Sequence, residues 1–142
     1  MTGAGIQITG LDECIEMMED APKNIVMLGY GRALTAAMYV VAEAVVSRAP
    51  VETGDMVKGL VVEVKVDSSA RGGIAEMGFG KQGHVAMWVE YGHHMVGHKP
   101  GKKYLGFDVQ PHPFMRPGFD ASADQAVEAF AASLSNTLKL AY

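Results

Sequence analysis

One cysteine, Cys14, is all the chain contains, so no disulfide can close within it and nothing calls for an oxidising compartment. On a short apolar helix face beside Ile15 it reads as a small core residue. Charge is scarce too: 20% of the 142 residues are charged against 49% hydrophobic, less than the usual quarter and less polar surface than a free monomer carries. Oligomerisation or a partner surface follows as the expectation. The formal net charge of -4 speaks against a dedicated nucleic-acid binder, so any contact with DNA would be local. No apolar run approaches the roughly twenty residues a bilayer needs; Ala33 to Ala42 is the longest, bracketed by Arg32 and Glu43, and reads as a core helix with no membrane partner. Met1 to Gly10 lacks the basic-then-apolar pattern of a secretory signal, so the protein is expected to stay where it is made.

Catalytic patterns are missing as well. Ser133 and Ser135 fall on a helix with no histidine near in sequence, and no nucleophile elbow or phosphate-cradling glycine loop is present. His93, His94, His98 and His112 could be grouped as a zinc or nickel site, which makes a metal-dependent hydrolase the alternative reading. Their spacing matches no metal motif, and Gly97 with Pro100 opposes the helix that would align His94 with His98. Glu90 beside Tyr91 fits a carboxylate paired with a positive neighbour such as Arg116 better than a buried base. The chain is therefore read as a non-enzyme, with no catalytic, cofactor-binding or metal residue and no cofactor.

What is present is structural punctuation. Thr9 with Asp12 and Glu13 predicts a helix over about Leu11 to Glu19, and Pro22 suits the first turn of the next. Leu34, Met38, Val41 and Val45 form one stripe of that second helix, whose well-formed part is predicted from near Gly31 to Ser47 or Arg48, because Gly29 and Gly31 weaken its start. Pro50 ends it, Thr53 can cap a following turn, and Gly54 is free to adopt an angle closed to bulkier residues. Leu60, Val62, Val64 and Val66 alternate with more polar neighbours as an inward-facing strand; after turn residues Ser68 to Gly73, a second strand with Ala75, Met77 and Phe79 completes a hairpin. Val85 to Tyr91 reads as a third strand covered on both faces.

From Gly92 to Gln110 the periodicity is lost and glycines, histidines and Lys99, Lys102 and Lys103 gather, which predicts an extended loop; those lysines could face DNA without reading its sequence. A capping box at Ser122 to Gln125 and the stripe Phe119, Ala123, Val127, Phe130, Leu134 and Leu138 predict a long terminal helix. The expected fold is one α+β domain over 1–142: a small antiparallel β-sheet of three to four strands packed against a long central helix and a long C-terminal amphipathic helix.

Three signatures stand in fixed order: Ala49-Pro50-Val51-Glu52-Thr53-Gly54, then Trp88-Val89-Glu90-Tyr91-Gly92, then Pro111-His112-Pro113-Phe114-Met115-Arg116-Pro117. This series, with its closing amphipathic helix, resembles the tail-completion, or minor tail component, family of tailed bacteriophages. Carried over by residue, Pro50, Thr53 and Gly54, then Glu90, Tyr91 and Gly92 beside Trp88, then Pro111, Pro113, Phe114, Met115, Arg116 and Pro117 form the structural and interface motif. The resemblance implies a non-catalytic virion protein of the neck or upper tail, assembled in the host cytoplasm and helping join tail to head as a subunit of a homo-oligomeric ring, expected to be a hexamer. It implies tail terminator, tube and connector or head-closure proteins as neighbours; a tail-terminator or head-closure subunit of the same neck is a second alternative. Physically, Pro111, Pro113 and Pro117 would stiffen a docking segment while Phe114 and Met115 supply contact area, or the segment crosses its own subunit's core.

Overall fold

A computed structural model describes residues 11–20, 22–51, 54–67, 69, 72–97 and 103–141. Helix α1 (Leu11–Asp20) places Asp12 and Glu13 in its first turn, where carboxylates meet the positive end of the helix. Thr9 and the side chain of Cys14 lie outside the described residues. Pro22 immediately precedes α2 (Lys23–Val46), and its carbonyl accepts the Ile25 and Val26 N–H groups. α2 therefore begins well before Gly31. Gly29, which intrinsic propensity counts as a weakness, is buried where a neighbouring helix crosses, and a Cβ there would lie 3.1 Å from Leu134 Cδ1. Packing outweighs propensity at that point. Length and composition alone would let α2 cross a membrane, but Val26, Ala33, Val41, Ala42 and Val45 are buried within the fold.

The helix ends before Pro50, with the Arg48 guanidinium and the Ser47 hydroxyl both donating to the otherwise orphaned Ala44 carbonyl, at 2.8 and 2.9 Å. After Gly54, at φ 75°, comes the short helix α3 (Asp55–Lys58); Glu52 and Thr53, the expected cap, lie outside the described residues. β1 (Val61–Val66) then pairs antiparallel with β2 (Gly73–Gly78), Val61 opposite Gly78 and Val66 opposite Gly73, which is the expected hairpin.

Two expectations are corrected beyond it. Val85 to Tyr91 is no strand but most of helix α4 (Gly83–Tyr91), in which Ala86 and Glu90, four residues apart, are the buried pair while Met87, Trp88 and Tyr91 stay exposed. Apolar alternation there imitated a strand, but one helical turn sets what is buried. The stretch read as an extended loop is mainly a second antiparallel hairpin, β3 (His93–Val96) and β4 (Tyr104–Val109), pairing His93 with Val109 and Val96 with Tyr104. The α+β class holds, and among the described residues four strands are divided between two separate two-stranded sheets.

The last helix, α5 (Met115–Leu140), starts before the supposed capping box; Ser122 is buried mid-helix and donates back to the Gly118 carbonyl at 2.8 Å. Its buried stripe runs Gly118, Ser122, Ala126, Leu134 and Leu138, while Phe119 is 55% exposed. Small residues take the stripe because the α2 and α5 backbones approach closely there. Val41, Val45, Ala49, Met56, Phe79, Ala86, Phe114 and Ala126 form the main core. Ala33, Leu134 and Leu138 form a second cluster, against which Met18 of α1 packs.

Candidate functional site

The second and third signatures meet at one joint. Glu90, at the end of α4 and only 7% exposed, receives three backbone hydrogen bonds at the start of α5: Phe114 N–H to Oε2 at 2.7 Å, Met115 N–H to Oε2 at 2.9 Å and Arg116 N–H to Oε1 at 3.1 Å. A helix leaves four N-terminal N–H groups without partners. Here three go to one carboxylate, the fourth position is Pro117, which has no N–H, and Gly118 N–H begins the helical ladder by donating to the Phe114 carbonyl. The run Phe-Met-Arg-Pro is thus a helix start whose donors are all accounted for by a residue 24 to 26 positions earlier. In return, His112 N–H donates to the Val89 carbonyl at 2.7 Å and satisfies one orphan at the end of α4.

Burial by itself would raise the Glu90 carboxyl, but the N–H donors of Phe114, Met115 and Arg116, with the Arg116 charge nearby, bring it below the ordinary glutamate value of 4.5. Arg116 therefore serves mainly through its backbone N–H and not as the ion-pair partner expected of it. Because the folded carboxyl is the stronger acid, its stabilisation is fully present above about pH 4.5 and is lost as pH falls through the lowered value. The melting temperatures of wild type and Glu90→Gln are expected to differ most above pH 4.5 and to draw together as pH falls below it, read by circular dichroism. A constant gap across that range would refute the linkage.

Gly92 closes the joint. Its φ of 74° and ψ of 171° belong to a region that side chains scarcely enter, and a Cβ would lie 2.6 Å from the Val109 carbonyl oxygen and 3.0 Å from Pro111 N. The first signature joins beside it, since Pro50, Gly54, Met56, Val89, Val109 and His112 border one concavity of about 600 Å³. All three motifs therefore converge.

The remaining residues divide. Phe114 is fully buried, its ring centroid 5.6 Å from that of Phe79, so it belongs to its own subunit's core and supplies no docking area; Met115 packs on the same core. Pro111, Pro113 and Pro117 are exposed around it. Trp88, 48% exposed, lies between His84 and His93 at 5.1 and 5.3 Å, and Tyr91 is 68% exposed. Of the lysines, Lys103 is exposed at the start of β4, while Lys99 and Lys102 lie outside the described residues. Of the histidine grouping, His94 binds Asp108, whose carboxyl it holds below the ordinary value, His112 is exposed, and His98 lies outside the described residues. Among the described residues no three His, Cys, Asp or Glu side chains come together as a metal site requires. Sequence reasoning also missed the helical cap on Glu90, whose partners are remote in sequence.

Large apolar side chains are exposed on α2, α4 and both hairpins. Tyr39, Val61, Ile74, Met87, Tyr104, Leu105 and Phe107 are all exposed by half or more. A small α+β subunit with an internally braced joint and large bare apolar faces is a building block for assembly. A family model described as "Bacteriophage HK97-gp10, putative tail-component" matches residues 12–92, more than half of the chain. The chain belongs to this HK97-gp10-like family of phage tail components. The matched span contains the first two signatures and ends at Gly92, so the third is tied to them by the Glu90 joint. No curated protein and no solved structure matches.

Proposed function

We propose that the chain is a ring subunit of the neck or upper tail, sixfold to match the tail tube, which completes the tail and helps join it to the head. One observation carries the reading: Tyr39, Val61, Ile74, Met87, Tyr104, Leu105 and Phe107, large apolar side chains on α2, α4 and both hairpins, are exposed by half or more, as a subunit with neighbours on two sides requires. Tail-terminator, tube and connector or head-closure proteins are its proposed neighbours, and the mature virion, assembled in the host cytoplasm, its location. The motif residues Pro50, Gly54, Trp88, Glu90, Tyr91, Gly92 and those from Pro111 to Pro117 act by fixing the joint and so the angle between α4, the second hairpin and α5. Deleting the gene from the particle genome is expected to leave filled heads and finished tails unjoined in electron micrographs. Joined, infectious particles without the chain would overturn the reading.

A further inference from the structure

Two concavities of about 740 and 600 Å³ run together along the outer side of α2, sharing Thr35, Tyr39 and Val64. One wall is the α2 face that runs from Arg32 to Glu43, and the other is β1 with Val64 and Val66. Midway, the α2 wall consists of the small residues Gly31, Thr35 and Ala36, so a bulky side chain can come close to the helix there. Tyr39, 71% exposed, flanks that low stretch.

A helix with the converse surface lies elsewhere in the fold. α4 turns Ala86 and Glu90 inward, while His84, Met87, Trp88 and Tyr91 recur at helical spacing on its outer face, all exposed. Lys81, in the single turn Gly80–Gln82 that leads into α4, continues the same stripe and is exposed too. The stripe is cationic at its start and aromatic beyond. Arg32 and Glu43 on α2 are likewise exposed, and neither they nor Lys81 make an ion pair among the described residues.

We propose that α4 of one copy lies antiparallel to α2 of the next, seated in the groove between α2 and β1. This names the contact within the ring reading above and rests on it. Arg32 and Glu43 stand about 16 Å apart along α2, and Lys81 and Tyr91 about 16 Å apart along α4 and the turn before it. The antiparallel alignment therefore brings Lys81 of one copy to Glu43 of the next, and the Tyr91 ring to the Arg32 guanidinium: an ion pair at one end and a cation–π contact at the other. Between them Trp88 falls over Thr35 and Ala36, the largest side chain of one face against the small residues of the other. A parallel alignment would set Lys81 beside Arg32 and Trp88 upon Tyr39, so like charges and bulk both reject it. A second copy is the occupant because length, charge and side-chain size all match within this one sequence. The groove and the α4 face share no residue, so the contact is head-to-tail, as a ring requires.

Tyr39→Lys spoils the groove and Met87→Lys spoils the α4 face; both positions are exposed, so the fold should survive, as unchanged melting curves would verify. By light scattering on the full chain, wild type is expected to form a closed oligomer and each variant to stay at the 15.1 kDa monomer mass. Mixed one to one, the variants retain a single intact groove and a single intact α4 face between them, and are expected to give dimers and nothing larger. Glu43→Lys and Lys81→Glu should each weaken assembly by about fivefold, and the two combined in one chain should restore it. A combined variant no better than either single would overturn the antiparallel alignment. Wild-type-sized oligomers from Tyr39→Lys or Met87→Lys, or a mixture of the two that stays monomeric while wild type assembles, would overturn the contact and leave the ring reading standing. A wild type that remains monomeric up to about 1 mM would also overturn it and give the groove to another protein of the particle, whereas the ring reading falls only to joined particles that lack the chain.

Discussion

Glu90→Ala is expected to destabilise the fold by about 2–4 kcal/mol, because it strands three backbone donors at once at the start of α5. Hydrogen bonds to a charged acceptor are worth more than neutral ones, and the Phe114 N–H, fully inside, has no water to turn to. The N–H groups of Met115 and Arg116 lie nearer the surface, which is why the estimate stops short of three full penalties. Against a total stability of roughly 5–15 kcal/mol such a loss is a large fraction, and it corresponds to a fall in melting temperature of about 5–15 °C. Glu90→Gln should cost less, since its single amide oxygen can still serve the two donors that share Oε2. Hydrogen exchange gives the local readout: the amides of Phe114, Met115 and Arg116 should lose protection in both variants, and Gln should lose least. A Glu90→Ala protein that melts within about 1 °C of wild type would show that the cap is dispensable.

That joint also explains why some of the molecule was legible in the sequence and some was not. Features set by neighbours along the chain read correctly: the break at Pro50 and the β1–β2 hairpin rest on proline geometry and period-two alternation. Features set by distant partners did not. A helix that takes its N-terminal acceptor from another helix has no cap of its own to find, so the sequence points for the start of α5 to Ser122, which has the right residue type but lies inside. The α4 segment is apolar at both odd and even positions, so period two cannot tell it from a helix; its real signature is Ala86 and Glu90 one helical turn apart, followed by Gly92 at positive φ. In the second hairpin, alternation of Leu105, Phe107 and Val109 was available but was masked by the histidines and glycines around it. The sequence allows the proline-rich third signature either to dock on a neighbour or to cross its own subunit's core. In the fold the three signatures grip one another first, with Phe114 inside, and the bare apolar area lies instead on α2, α4 and the two hairpins.

Gly118 should prove the least replaceable residue of the helix pair. A Cβ there would lie 2.8 Å from Val45 Cα, 2.8 Å from Val45 Cγ2 and 3.0 Å from Val45 N, so two of the three obstacles are backbone. Neither backbone atom can turn aside as a side chain does, so α5 would have to lift away from α2 along the Gly118, Ser122 and Ala126 stripe, opening the main core around Val45 and Phe114. Alanine normally stabilises a helix by about 1 kcal/mol relative to glycine, which offsets only part of this; a net loss of about 2–3 kcal/mol is expected for Gly118→Ala, and failure to fold for Gly118→Val. Adding Val45→Ala separates the causes. It removes Cγ2 but leaves Cα and N in place, so in a double-mutant cycle, after the cost of the Val45 cavity itself is subtracted, rescue of Gly118→Ala should be partial. Full rescue would mean that the side chain alone sets the helix spacing. No loss of stability in Gly118→Ala would mean that the two helices do not approach as closely as their small residues allow.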